Sequence, residues 1–351
     1  MNDLERVLRP RDSLTTTSVA MTLDEAVSVS SEHYGLKVAA KALKSERDQN
    51  FMLMIDGRPK FLLKVANAAE ARSTIDFRVG AMRHLEQVAP DLPIQRVIRT
   101  LDGTDIFPWS DVEGQTRFCY MLSYLDGVPM TGDVTSAEQQ TGLGLTAAKM
   151  GQALSGFRHP GAGHELLWDL KHAAKLRAYL PMTEDPLHRS LASDALDRFE
   201  SIALAPLRHQ VIHNDLNPHN VLVSPETGAI AGVIDFGDMV ESPLACDIAV
   251  ACSYLFANGS EPLAPLCRFL AAYRSVMPLR PDEVAALPVL LATRLAMTVI
   301  ITNWRASQYP ENRDYILRNQ KSAVAGLLAL AALPADQVDE KFQRASQGEL
   351  A

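Results

Sequence analysis

The sequence predicts an α+β chain in two parts, a mixed helix-and-strand part and then a mainly helical one. Three observations predict it. A capped helix and three short β-patterned runs fill residues 22–65. Two β-patterned runs, 221–223 and 229–234, flank turn residues and lie between acidic loops. From 263 to 333 the apolar pattern is helical throughout. The 351 residues suit two lobes or two small domains. At 47% hydrophobic and 22% charged residues, a sizeable core is expected.

Residues 1–21 are polar, include Thr15-Thr16-Thr17, and are expected to form a loosely held arm. Thr22-Leu23-Asp24-Glu25 has capping-box form, so a helix starts there and stops near Tyr34-Gly35. Residues 36–43, 50–55 and 61–65 read as strands, with a turn at Asp56-Gly57. Residues 75–88 follow as a helix and 118–125 as an apolar strand ending at Asp126-Gly127. Residues 135–155, 164–180, 187–205 and 248–257 read as helical. Helices over 263–277, 281–309 and 312–333 complete the chain, and Pro334 marks the stop of the last. The resulting division is an arm at 1–21, a first lobe at 22–124, a second at 125–333, and a fraying polar tail at 334–351.

Composition narrows the function classes. A formal charge of -8 argues against generic nucleic-acid or anionic-membrane partners. Cys119, Cys246, Cys252 and Cys267 form no C-x-x-C, as expected of reduced, buried thiols in a cytoplasmic protein. The nine histidines lack zinc-ligand spacing, and the N-terminus lacks the apolar stretch of a secretory signal. The apolar run 289–301 is interrupted by Arg294 and too short to span a bilayer. No internal repeat is visible.

The centre of the sequence is 211–254. Val211-Ile212-His213-Asn214-Asp215 is an apolar lead into a polar loop, and Asn220 follows Asp215 by five positions. Asn220 and Asp235 lie equally far from the Thr227-Gly228 turn, which puts them opposite each other at the open end of a hairpin. Unpaired carboxylates repel, so a cluster with Asp215 implies a bound cation or a base kept for chemistry. Oxygen ligands of this kind suit Mg2+, which fills its shell with water and phosphate oxygens.

His213-x-Asp215, then Asn220, then Asp235-Phe236-Gly237 about fifteen residues on, resembles the catalytic and metal loops of eukaryotic-type kinases. With Asp238 and the close-following Cys246-Asp247-Ile248-Ala249, the segment is similar to the aminoglycoside phosphotransferase and choline kinase superfamily. Asp48-Gln49-Asn50-Phe51, Ile234 to Asp238, and Asn303-Trp304-Arg305 most resemble hydroxylysine kinase-like phosphotransferases. The resemblance runs from about Leu23 to Leu328. It implies a protein kinase-like two-lobed fold, with a mixed antiparallel-sheet N-lobe and a mainly helical C-lobe. Asp215 is then the base that takes the acceptor's hydroxyl proton, and Asn220 and Asp235 hold Mg2+ on the phosphates of ATP or GTP. The family's usual Gly between His and Asp is Asn214 here, a residue that tolerates left-handed backbone.

The resemblance places further residues at the nucleotide. The turn 44–50 stands where a phosphate-covering loop belongs but has no glycine, which leaves Ser45 and Asn50 as donors. Lys64 lies in an apolar strand, a costly place for an unpaired ammonium. In the family the matching lysine holds phosphates and pairs with a carboxylate on the next helix. Asp76 matches that position, and Glu70 is the rival. Residues 122–125, including Leu122 and Tyr124, correspond to the hinge that meets the base. Asp238 precedes Asp247 by only nine residues, too few for a protein kinase activation segment, which favours a small-molecule substrate. Asp247 is expected to bond catalytic-loop backbone.

On the acceptor side, Arg294 and Arg305 are eleven residues apart on an apolar helix and share a face. They need acidic partners or an anionic ligand, and an acceptor α-carboxylate is one such ligand. Asp238 or Glu241 would then face an amine. The expected activity is phosphoryl transfer to a hydroxyl of a small amine or amino acid. The alternatives are an aminoglycoside or choline/homoserine-type phosphotransferase, and a non-catalytic nucleotide-binding regulatory protein.

Overall fold

The computed structural model describes residues 20–45, 48–130 and 135–349. The predicted arm, apart from Ala20 and Met21, lies outside the described residues, as do Glu46 and Arg47 of the phosphate-covering turn. The chain separates into two compact units. The first takes the described residues up to Gly127 with Arg158–Leu167 and Ala231–Gly237. The second takes Val128–Phe157, Trp168–Ile230 and the described residues from Asp238 on.

The first unit opens with α1 (Leu23–Tyr34), whose capping box forms in both directions between Thr22 and Glu25. Gly35 ends it in the left-handed region at φ +67°. Strands β1 (Ala39–Leu43), β2 (Gln49–Ile55) and β3 (Arg58–Val65) form an antiparallel meander. Asp56 and Gly57 both have positive φ, as the two-residue turn between β2 and β3 requires. Helix α2 (Arg72–Val88) follows, then β4 (Val97–Ile98), β5 (Phe107–Ser110) and β6 (Thr116–Ser123). The sheet order is β1-β2-β3-β6-β4, with β5 also on β6.

Strand alternation gives the sheet two roles. One face carries Phe51, Leu53, Leu63, Val65, Cys119 and Met121, packed with Ala26, Val29 and Tyr34 of α1. The register sets Asn50, Lys64 and Tyr120 side by side across β2, β3 and β6 on the opposite face.

The second unit holds two short ladders. Strand β7 (Val128–Pro129) pairs β9 (Val221–Val223), and β8 (His209–Ile212) pairs β11 (Val240–Pro243). A turn closed by Ser224 N–H to Ala229 O and Gly228 N–H to Ser224 O leads to β10 (Ile230–Val233), which belongs to the first unit from Ala231 on. Around them stand α3 (Ala137–Leu154), α4 (Pro186–Glu200), α5 (Leu244–Cys252), α6 (Ala264–Val276) and α7 (Pro281–Gln308). Helices α3 and α6 touch at Gly144, where a Cβ would meet Phe269 O at 2.3 Å. The 28-residue α7 is apolar and long enough to cross a membrane, yet 83% of its most apolar window is buried inside the protein. It serves as a core helix. Its first turn is tied down by fully buried Glu283, which accepts from Arg208 Nε and Nη2.

Three helical expectations change. Residues 170–182 form a 3-10 helix, not an α-helix, and buried Leu170, Ala173 and Leu176 recur at its three-residue period. The run 312–333 is broken: α8 (Arg313–Ile316) is followed by a 3-10 turn with no buried residue, and α9 spans Gln320–Ala331. The tail does not fray after Pro334. Pro334 stands before α10 (Ala335–Gln347), a position where a missing N–H costs nothing, and Val338, Phe342 and Ala345 are buried one turn apart. All four cysteines are free and buried, as expected.

Candidate active site

In the second unit the β8–β11 ladder ends at the Ile212–Val240 pair, from which the 213–220 loop departs. His213 and Asn214 are fully buried. Asn214 is left-handed at φ +64°, the conformation for which the family uses glycine. Asp247, on α5, accepts the Asn214 N–H at 2.7 Å and so fixes the loop, as expected. Burial raises the Asp247 pKa, while His213 and the loop N–H groups pull it back.

Asp215 follows, with each oxygen engaged. Oδ1 accepts from Asn217 Nδ2 at 2.9 Å, and Oδ2 accepts from Asn220 Nδ2 at 2.7 Å. Asn220 Nδ2 also donates to Asp215 O at 3.0 Å, so the oxygen of this amide remains as its acceptor end. Arg294, from the middle of α7, brings Nη2 to 3.8 Å of Asp215 Oδ1. Arg294 is only 3% exposed, stacks on the Trp168 ring at 4.8 Å, and donates from Nη1 to Trp168 O. It also bears on the Tyr254 hydroxyl, whose pKa burial pushes up. Its Nε–H is buried with no acceptor among the described residues.

In the first unit Lys64 is 5% exposed. Its ammonium lies 3.3 Å from Asp235 Oδ1 and 3.8 Å from Asp48 Oδ2. Burial disfavours the charge, but Asp235, then Tyr120, then Asp48 outweigh it and hold the Lys64 pKa above the usual lysine range. Tyr120 beside it is pushed up to about 12 by burial and stays a neutral phenol. Asp235 is left-handed at φ +60°, a strained conformation for a non-glycine residue, of the kind that collects at functional sites. Its side chain is 53% exposed, and Oδ1 also accepts the Gly237 N–H.

Neither predicted partner of Lys64 reaches it. Asp76 pairs with Arg72 at 2.9 Å on the exposed side of α2, one turn away along its own helix. Glu70 pairs with buried Arg78 at 2.7 Å. Asp48 takes the place instead, because the β2–β3 register sets Asn50 against Lys64 and leaves Asp48 at the adjoining strand end. Asn50 Oδ1 is buried beside this row with no partner among the described residues, while Ser45 is exposed in the turn. Leu122 is buried in β6, and Tyr124 is exposed just beyond it, donating its N–H to Lys60 O. Asp238 closes the 3-10 turn Phe236–Asp238, and Glu241 lies on β11 opposite Val211. Arg305 is half-buried three turns beyond Arg294, about 16 Å along the helix, so the two do not grip one carboxylate together. The sequence carries no signal for Trp168 or Tyr254 as site residues, and for Asp48 only the family-like wording of 48–51.

A sheet bearing a buried lysine, a mainly helical second unit, and an Asp–Asn loop anchored by a buried aspartate define a protein kinase-like phosphotransferase with an alcohol group as acceptor. The profile of the phosphotransferase enzyme family matches residues 39–279, and the chain belongs to that family. Hydroxylysine kinase from Mus musculus is 27% identical, with 88% of each chain covered. Homoserine kinase from Parvibaculum lavamentivorans is 28% identical, covering 73% of this chain and 76% of its own. Among solved structures, an amicoumacin kinase in complex with AMP-PNP and Ca2+ shares the fold at TM-score 0.60 and 15% identity, covering 88% of both chains. A spectinomycin phosphotransferase does so at TM-score 0.60 and 13% identity, covering 93% of this chain and 99% of its own. The chain is therefore a small-molecule kinase.

Proposed function

We propose that this kinase transfers the γ-phosphoryl group of ATP or GTP to the hydroxyl of a small hydroxyamino acid, of the hydroxylysine or homoserine type, with Mg2+. The observation that carries the acceptor class is Arg294. A buried guanidinium whose Nη2 pairs with the base at 3.8 Å, and whose Nε–H has no acceptor among the described residues, offers positive charge to a carboxylate next to the reacting hydroxyl. Choline and aminoglycosides bring no carboxylate to such a group. The hydroxylysine and homoserine kinase relatives support the same class.

Asp215 orients the acceptor hydroxyl and takes its proton. Two amide donors keep its carboxylate aimed. Asn220 and Asp235 would hold Mg2+. The donor set fits a hard cation: the Asn220 nitrogen is spent on Asp215, which leaves an oxygen, and Asp235 offers a half-exposed carboxylate. Bound there, the ion supplies charge neutralisation on the phosphates. Lys64 pairs with phosphate oxygens, Asn50 and Ser45 donate to them, and backbone near Leu122 and Tyr124 meets the base. Asp238 and Glu241 face the acceptor's amine. The contribution of the protein is mostly positioning and electrostatics.

The test compares a hydroxyamino acid with its decarboxylated amino alcohol, in wild type and Arg294→Gln. Wild type should favour the amino acid by about tenfold or more in kcat/KM, the range for one charged hydrogen bond, and the variant should lose that preference. An unchanged preference in Arg294→Gln would remove Arg294 from carboxylate recognition.

A further inference from the structure

We propose that Asp48, carried by the sheet, is the positioning residue for Lys64, in place of a carboxylate on α2. The inference rests on the reading of Lys64 as the phosphate-binding lysine. A buried ammonium needs a fixed counter-charge, or it loses both its charge and its aim. Four carboxylates stand near enough in sequence or space to serve. Asp76 is committed to Arg72 and Glu70 to Arg78. Asp235 is the nearer partner at 3.3 Å, but it is half-exposed and is the proposed cation ligand, so its charge is shared once a cation is bound.

Asp48 differs from these. Its side chain is 11% exposed. Its Oδ1 is fixed by the Asn67 N–H at 3.2 Å, which leaves Oδ2 facing Lys64. Asn67 in turn accepts the Ala69 N–H on its own side chain, which stiffens the loop behind Asp48. The arrangement is anchored at both ends: Asp48 adjoins the end of β2, and Asn67 follows the end of β3. The Lys64 ammonium donates to Asp235 Oδ1 at 3.3 Å, and Asp48 Oδ2 lies beside it at 3.8 Å as an ion-pair partner beyond hydrogen-bond distance. An ammonium has three donors, so the charge held by this pairing can still be presented to a phosphate oxygen. The direction of Lys64 is thereby set by the β2–β3 register and not by the placement of α2.

Asp48→Asn is the suitable variant. Its amide oxygen can still accept the Asn67 N–H, so the loop is retained while the charge is lost. The measurement is the dissociation constant of a non-hydrolysable ATP analogue with Mg2+, by calorimetry, in wild type, Asp48→Asn, Lys64→Met and the double variant. Asp48→Asn should weaken binding by about tenfold. In the Lys64→Met background the same change should cost less than about twofold, because the residue it acts through is gone. A full tenfold loss in both backgrounds would show that Asp48 acts independently of Lys64 and overturn the inference. So would near-wild-type affinity in Asp48→Asn alongside a large loss in Lys64→Met. Wild-type affinity in Lys64→Met would instead overturn the phosphate-binding reading of the lysine.

Discussion

Replacing Asp215 with Asn perturbs more than a proton acceptor. In the native loop both carboxylate oxygens accept from amide nitrogens, Asn217 Nδ2 on one side and Asn220 Nδ2 on the other. An asparagine at 215 presents one oxygen and one NH2. One of the two amides then meets a donor instead of an acceptor, and Arg294 loses its anionic neighbour at 3.8 Å. A lost hydrogen bond to a charged group is worth about 1.5–3 kcal/mol, which is the expected drop in unfolding free energy. Loss of the general base should cut turnover by about a hundredfold or more. Because Lys64, Asp48 and Asp235 are untouched, the affinity for a non-hydrolysable nucleotide should hold within a few-fold. Steady-state turnover, calorimetric nucleotide titration and denaturant unfolding of the purified variant separate the three effects. Turnover within threefold of wild type would refute the assignment of Asp215 as the base.

Two further outcomes are expected. Asp235→Ala should weaken Mg-nucleotide binding more than Asn220→Ala, because a carboxylate neutralises metal charge and a carboxamide does not; calorimetric titration of both variants reads the difference. Asp247→Ala should lower unfolding free energy by about 1–3 kcal/mol, since it strands the Asn214 N–H in a buried loop, and chemical denaturation measures it.

The 213–220 loop was legible in the sequence because its pattern is local. His213, Asp215 and Asn220 fall within eight residues, and Asn214 could be read as a glycine substitute before its positive φ was seen. The first sheet was legible for the same reason, from the Asp56-Gly57 turn and the alternation on either side of it. The partner of Lys64 was not. It depends on the residue just before β2, which the β2–β3 register leaves near the lysine, and sequence position on α2 pointed to Asp76 instead. The shared face of Arg294 and Arg305 followed from helical period, but the roughly three turns between them, and the approach of Trp168 and Tyr254, belong to tertiary packing. Pro334 read as a stop, although the same residue type is equally suited to stand before a helix.

The most direct measurement of the central claim is product formation by the wild-type protein with Mg-ATP or Mg-GTP. The acceptors are a hydroxyamino acid, the same amino acid without its hydroxyl, the decarboxylated amino alcohol, choline and an aminoglycoside. Mass spectrometry should find one added phosphoryl group on the hydroxyamino acid and none on its deoxy counterpart, with the amino alcohol a poor acceptor. Phosphorylation confined to the aminoglycoside or choline, or equal for the amino acid and its amino alcohol, would contradict the account.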